Sequence, residues 1–547
     1  NLRKPLISTL IFCFAFLFSN AQTYSIILGR PTDKSITLNI IFDQNVNFYI
    51  EYGTSSSIYT KNTATITNSA NTPNVIELPD LMFNTKYYYR LRYKANSVSN
   101  FNASPEYFFQ TQRDKGSIFS FTVESDEHLY DKKGIRSMYQ VTLNNEALDK
   151  PDFMLSLGDI FGDDHNPYTI TSNDLDALHK DYRQYLGTIC HSIPFYISLG
   201  NHEGENDFYL NQNAPNNLAI WGTYWRKYYY PNPSPNNFYS GNTDNEPYGI
   251  GSPENYYSWT WGDALFVVLD VYRYENINSS KPENWDWSLG QKQYTWLRST
   301  LESSNAKYKF VFAHHIRGQG RGGLTNAKLF EWGGYEADGK TYGFDKNRPG
   351  WGKPIHQLFK DNGVNIFFQG HDHLFAHEVL DGVHYQEVPM PSDSTYMIGK
   401  LANADAYTAD TLDGTGHIKV SVSSSCVKVD YVKAYLPKDT LDGKHKNREI
   451  GFSYTVGSCL VTGIEAIQNQ PLNDLVKIYP NPVSNYIHLN FKEPTPKFEC
   501  KLIDEIGNVV LISNQKDINI GGLSNGLYIV TLQTDKWNIS QKILINK

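Results

Sequence analysis

Residues 365–373 read Asn-Ile-Phe-Phe-Gln-Gly-His-Asp-His, and the fold turns on how they are taken. The apolar run Ile366 to Phe368 has the length of a buried strand and stops at Gly370, after which His371 and His373 stand one residue apart. Imidazoles at that spacing, on a loop leaving a strand end, can reach two neighbouring metal ions or straddle one. A lone Gly-His-Asp-His is ordinarily a surface loop. Its weight here comes from four other strand-like runs that end in the same way.

Those four lie upstream. Ile118 to Val123 runs into Glu124-Ser125-Asp126-Glu127-His128, and Phe153 to Leu157 into Gly158-Asp159-Ile160-Phe161-Gly162-Asp163-Asp164. Phe195 to Leu199 runs into Gly200-Asn201-His202-Glu203, and Lys309 to Ala313 into His314-His315. Helix-like segments fall between them, over 134–149, 174–189, 290–303 and 354–361. Strand, polar group, helix, repeated, predicts an α/β sheet whose functional groups gather at the carboxyl edge of its strands. Taken singly, Asp159 would serve as a helix cap, His314 as a core histidine and Asn201 as a turn residue. Taken in order, Asp126, His128, Asp159, Asn201, His202, His314, His371 and His373 mix hard oxygens with imidazoles. That donor set suits two divalent or trivalent ions sharing one carboxylate.

The series Asp-x-His, Gly-Asp-x-x-x-Asp, Gly-Asn-His-Glu, His and Gly-His-x-His resembles the calcineurin-like metallophosphoesterase superfamily. The alternating segments at 418–422 and 427–434, with 450–456 after them, read as strands closing a second sheet, and together with the resemblance they imply a four-layer α/β/β/α catalytic domain over 117–457. The resemblance implies that Asp126, His128 and His373 hold one metal ion, that Asn201, His314 and His371 hold the other, and that Asp159 bridges them. It further implies His202 as the proton donor to the leaving group and Asp163 as support. His314 is preferred to His315 because it directly follows the strand. Iron, manganese and zinc all suit the set. Purple acid phosphatases carry a metal-binding tyrosine three residues after the bridging aspartate and lack a histidine at the position of His128. Gly162 stands at that tyrosine's position here, so no tyrosinate-to-iron colour is expected.

On the substrate side, Asn201, His315, Arg317 and Arg321 are the candidate contacts, the two arginines sitting in a glycine-rich segment close to His314. The insertion from Asn211 to Tyr257 is long enough for a lid or binding surface. Trp332, Trp351 and Tyr385 are candidate cleft walls or core residues. The expected activity is hydrolysis of phosphate monoesters by in-line attack of a metal-bridging hydroxide. A phosphodiesterase or nucleotide-cleaving enzyme of the same fold is the near alternative. A surface adhesion or glycan-binding protein with an inactive hydrolase scaffold is the alternative from another class.

The rest of the 547 residues places this domain in a longer architecture. Residues 1–21 have a basic head, an apolar middle and a small-residue exit, which predicts a secretory signal and no further span in the mature chain. Over 23–112 short alternating strands predict a β-sandwich, with Tyr87, Tyr89, Leu91 and Tyr93 on one face; with Glu51-Tyr52-Gly53, then Leu81 through Asn84-Thr85-Lys86-Tyr87-Tyr88-Tyr89, and Phe108-Phe109-Gln110-Thr111, the segment resembles a fibronectin type III domain. Residues 458–475 read as a linker. With Ile478-Tyr479-Pro480-Asn481-Pro482, Ile503-Asp504-Glu505-Ile506-Gly507 and Leu523-Ser524-Asn525-Gly526-Leu527-Tyr528-Ile529-Val530, residues 476–547 resemble the type A sorting domain of the type IX secretion system, which implies handling by that machinery and a secreted or cell-surface location. A net charge of −8 gives no support to charge-driven nucleic-acid binding. Four cysteines beyond the signal are too few to staple the chain, although Cys426 with Cys459 is a candidate disulfide.

Overall fold

The computed structural model describes residues 24–162, 166–274, 284–316, 322–398, 404–457, 459, 476–491, 497–504, 509–534 and 538–547. The segment read as a secretory signal, Asp163, Arg317, Arg321 and nearly all of 458–475 lie outside them. The chain forms two compact units, Asn1–Gly457 and Ser458–Lys547.

The larger part of the first unit is built on two sheets. One contains β1 (Phe119–Glu124), β2 (Phe153–Ser156) and β3 (Phe195–Ile197). The other contains β4 (Tyr257–Trp261), β5 (Ala264–Val268), β6 (Tyr308–Phe312), β7 (Ile366–Gln369), β8 (Phe375–Leu380) and β9 (Val383–Glu387). The strands β10 (Gly416–Val422), β11 (Cys426–Lys433) and β12 (Ile450–Gly457) complete the first sheet in the order β3-β2-β1-β10-β11-β12. They do not close the second sheet, as the sequence had suggested. β10 pairs antiparallel with β1, Phe119 opposite Val422 and Val123 opposite Ile418, a contact nearly 300 residues apart that no local pattern announces. Within the second sheet β5, β6, β7 and β9 run parallel.

Alternation along each strand sets the layers. Phe121, Val123, Phe153, Leu155, Phe266, Phe310, Phe312 and Phe368 point between the sheets and interlock, Phe312 stacked on Phe368 with centroids 4.9 Å apart. The residues in between face outward onto helices. Met154, Phe195 and Ile197 meet α1 (Arg136–Asp149) and α2 (Ser172–Leu186) through Tyr139, Leu143, Tyr182 and Leu186. On the far side Val267, Val311 and Phe367 meet the helices Gly290–Ser303 and Ile355–Asp361 through Leu297, Leu301, Leu358 and Phe359. The result is α/β/β/α. Trp332, Trp351 and Tyr385 are buried in that second outer core. The long insertion is partly core too: Asn217 caps the helix Leu218–Tyr229, whose Arg226 forms a buried ion pair with Glu205.

Ahead of this lie two further sheets. Tyr24–Gly29, Ile36–Phe42 and Asn74–Leu78 form one, and Val46–Gly53 and Lys86–Ala95 are central to the other. Tyr87, Tyr89 and Leu91 are buried between them, with Tyr93 half-buried alongside. Arg183 of α2 reaches across, buried, and donates to Ser25, to Asn39 and to the Tyr229 carbonyl, so the N-terminal sheets are locked to the α/β/β/α layers. The second unit is again two sheets, of three and four strands, around Ile487, Leu489, Leu502, Val530 and Ile543. Cys426 and Cys459 are disulfide-bonded, and Cys190 and Cys500 are buried free thiols.

Candidate metal centre

Because β1, β2 and β3 lie in one sheet and β6 and β7 in the other, their carboxyl ends meet along one edge of the sandwich. The first polar residues beyond those ends converge there. Three overlapping groups, Asp126 with His128 and His373, Asp159 with His314 and His371, and His128 with Asp159 and His202, each bring one ligand atom per residue within 4.8 Å of the others. The Nε2 atoms of His128 and His373 are 3.0 Å apart, and His314 Nε2 lies 3.2 Å from His371 Nδ1. Asp126 Oδ1 is 3.4 Å from His373 Nε2 and 3.7 Å from His314 Nε2. Asp159 Oδ2 lies 3.2 Å from His314 Nε2 and 3.8 Å from both His128 Nε2 and His202 Nε2, so it stands between the groups.

The backbone is bent to make this possible. Asp126, His128, Asp159, His371 and His373 all have φ between 45° and 75°, a left-handed conformation that costs an L-residue with a Cβ about 1–2 kcal/mol. Five such residues at one point mark a functional site, since strain of this kind persists only where the surroundings impose it. Gly200 is required by space: a Cβ there would sit 2.2 Å from Asp159 Oδ1.

The donor chemistry fits metal ions. Asp126 Oδ1 and Asn201 Oδ1 are buried and accept no hydrogen bond, a costly arrangement unless a cation takes their lone pairs. His314 gives its Nδ1 to the Leu157 carbonyl at 2.8 Å, which leaves Nε2 for the cluster. Burial pulls the His314 imidazole down, but Asp159 and Asp126 outweigh it and raise its pKa to about 9. Burial likewise pushes Asp126 up, and His314 and His373 hold it well below the usual carboxylate range.

His202 is at the rim, partly exposed, its backbone N–H donating to Asp159 Oδ1 at 2.9 Å. His315 is buried, its ring 4.4 Å from that of His371. Two features escaped the sequence reading. Glu203 is fully enclosed and accepts the backbone N–H groups of Asp159, Ile160, Phe161 and Gly200 at 2.6–3.1 Å, which shapes the turn carrying Asp159. Its signal was its place at the end of Gly-Asn-His-Glu. Behind His128, the Tyr130 hydroxyl and Asp131 both reach Nδ1, and nothing in the local sequence Tyr-Asp-Lys-Lys announces that use.

Residues 119–375 match the family model for calcineurin-like phosphoesterases, and residues 477–546 match that for a secretion system C-terminal sorting domain. Among solved structures, the chain is similar to a purple acid phosphatase from seeds of yellow lupin, Lupinus luteus. That likeness has 14% identity and a TM-score of 0.52, over 79% of this chain and 74% of that one. It is also similar to PhoD, at 16% identity and a TM-score of 0.54, over 79% and 90% of the two chains. At these identities the likeness is one of fold. No curated protein matches the chain.

Proposed function

From a chain that carries a calcineurin-like phosphoesterase domain over 119–375 and a secretion-system sorting domain over 477–546, and is therefore a metal-dependent phosphoester hydrolase sent out through the type IX route, we infer a two-metal enzyme acting on phosphate monoesters. No helix among the described residues is long and apolar enough to cross a membrane. The observation that carries the reading is the convergence of Asp126, His128, Asp159, His202, His314, His371 and His373, with the buried Asp126 Oδ1 accepting no hydrogen bond. Asp126, His128 and His373 would hold one ion, Asn201, His314 and His371 the other, and Asp159 would serve both. Iron, manganese and zinc each suit this mixture of imidazole and oxygen. Bound there, two cations would supply positive charge for the phosphoryl oxygens and lower the pKa of a coordinated water towards neutrality.

The chain's own residues do the rest. Asp159, fixed by Glu203 behind it and by the His202 N–H, sets the spacing of the two positions. The partly exposed imidazole of His202 at the rim would protonate the departing oxygen. Asn201 and His315 border the place where the phosphoryl group would lie. A monoester dianion carries more negative charge than a diester and gains more from two cations, which favours it as substrate.

The test is turnover of p-nitrophenyl phosphate against bis-p-nitrophenyl phosphate by metal-loaded protein. Faster monoester hydrolysis is expected. Preference for the diester would move the assignment to a phosphodiesterase, and two bound ions with no turnover of either would favour a binding protein on a hydrolase scaffold.

A further inference from the structure

His128 and His314 face the cluster in the same way and are backed differently. The outer nitrogen of His314 meets a peptide carbonyl. That of His128 meets a carboxylate: Asp131 Oδ2 is 3.2 Å from Nδ1, and the Tyr130 hydroxyl is 2.9 Å from the same atom. Asp131 is itself held. Its Oδ2 lies 2.7 Å from Lys133 Nζ, and its Oδ1 accepts the Lys133 N–H at 3.0 Å. The turn that carries it is pinned from below, where the Tyr182 hydroxyl accepts the N–H groups of Leu129 and Tyr130, and from above, where Gly134 N–H bonds the His128 carbonyl.

A neutral imidazole that offers Nε2 to a cation keeps its proton on Nδ1, and the partner of that proton decides both the ring's orientation and how strongly Nε2 donates. A carboxylate does both better than a carbonyl, because the bond is charge-assisted. We propose that Asp131 is a positioning residue of the metal centre. Acting through His128, it sets the affinity of the metal position formed by Asp126, His128 and His373 and leaves the His314 position untouched. Tyr130 shares the same nitrogen as a second partner. The proposal rests on the two-metal reading above.

The experiment is calorimetric titration of chelator-treated full-length protein with Mn2+, for the wild type, Asp131→Asn and Tyr130→Phe. The wild type should take up two equivalents. Asp131→Asn should weaken one step about 10–100-fold and leave the other within error, and Tyr130→Phe should weaken the same step by less. Asp131→Glu, which restores the charge, should recover part of the loss. Two unchanged steps in Asp131→Asn would overturn the proposal, as would equal weakening of both steps together with a lower unfolding temperature, the mark of a merely structural role. Failure of the wild type to bind a second equivalent would instead overturn the two-metal reading itself.

Discussion

Replacing Glu203 by glutamine tests how Asp159, the aspartate proposed to serve both metal positions, is held. Each carboxylate oxygen of Glu203 accepts two backbone N–H groups: Oε1 takes Ile160 and Phe161, and Oε2 takes Asp159 and Gly200. A glutamine has one accepting oxygen, so in either orientation two buried N–H groups lose their acceptor and face an NH2 donor. At about 1–3 kcal/mol for each orphaned donor, the loss is about 2–6 kcal/mol. Against that, burial and the nearby Asp159 push the Glu203 pKa up, so a neutral side chain relieves some repulsion. The net expectation is the lower part of the range, about 2–4 kcal/mol. In one orientation the freed N–H groups are those of Asp159 and Gly200 and in the other those of Ile160 and Phe161, so either way the turn carrying Asp159 is disturbed and metal uptake should fall as well. Calorimetric unfolding with and without Mn2+, at fixed pH, reads both effects: a lower transition in metal-free Glu203→Gln and a smaller upward shift on adding metal. Wild-type stability with full metal uptake would refute the role given to Glu203.

Three further outcomes follow from the same geometry. His179 is fully buried against Phe161, and burial lowers its pKa to about 4. An unfolded chain binds that proton near pH 6.5, so stability is complete above that pH and falls by up to about 3 kcal/mol as pH drops towards 4; His179→Gln, followed by denaturant unfolding across that window, should flatten the slope. A Cβ at Gly162 would lie 1.4 Å from the His202 carbonyl oxygen, so Gly162→Ala should cost about 1–3 kcal/mol or more and disturb the His202 loop, measured as a lower unfolding temperature and lower kcat. Asn201→Ala removes a buried oxygen that accepts no hydrogen bond, and metal analysis should show one equivalent weakened by more than about 10-fold with turnover falling alongside.

The strand ends were legible because each is an apolar run that stops abruptly at a polar residue. The strands at 153–156 and 366–369 start and end within a residue or two of where the apolar runs put them. What was not legible is pairing. The division of five strands between two sheets, and the return of β10 to lie beside β1, depend on contacts hundreds of residues apart. β5 shows the limit of the pattern from the other direction. It is an apolar run followed by Asp270, yet that carboxylate accepts the N–H groups of Tyr272 and Arg273 and the Asn255 amide, and so braces a loop. An aspartate after a strand reads alike in both cases, and only its neighbours decide between brace and ligand. Glu203 and Asp131 were missed for the same reason, since their partners are backbone groups and an imidazole oriented by the fold.

The proposed binding of two cations by these donors is tested most directly by anomalous diffraction from crystals grown with Mn2+ or Zn2+. Two peaks about 3.5–4 Å apart are expected, one among Asp126, His128 and His373, the other among Asn201, His314 and His371, with Asp159 between them. A single peak, or two that leave Asp159 outside both, would contradict the account.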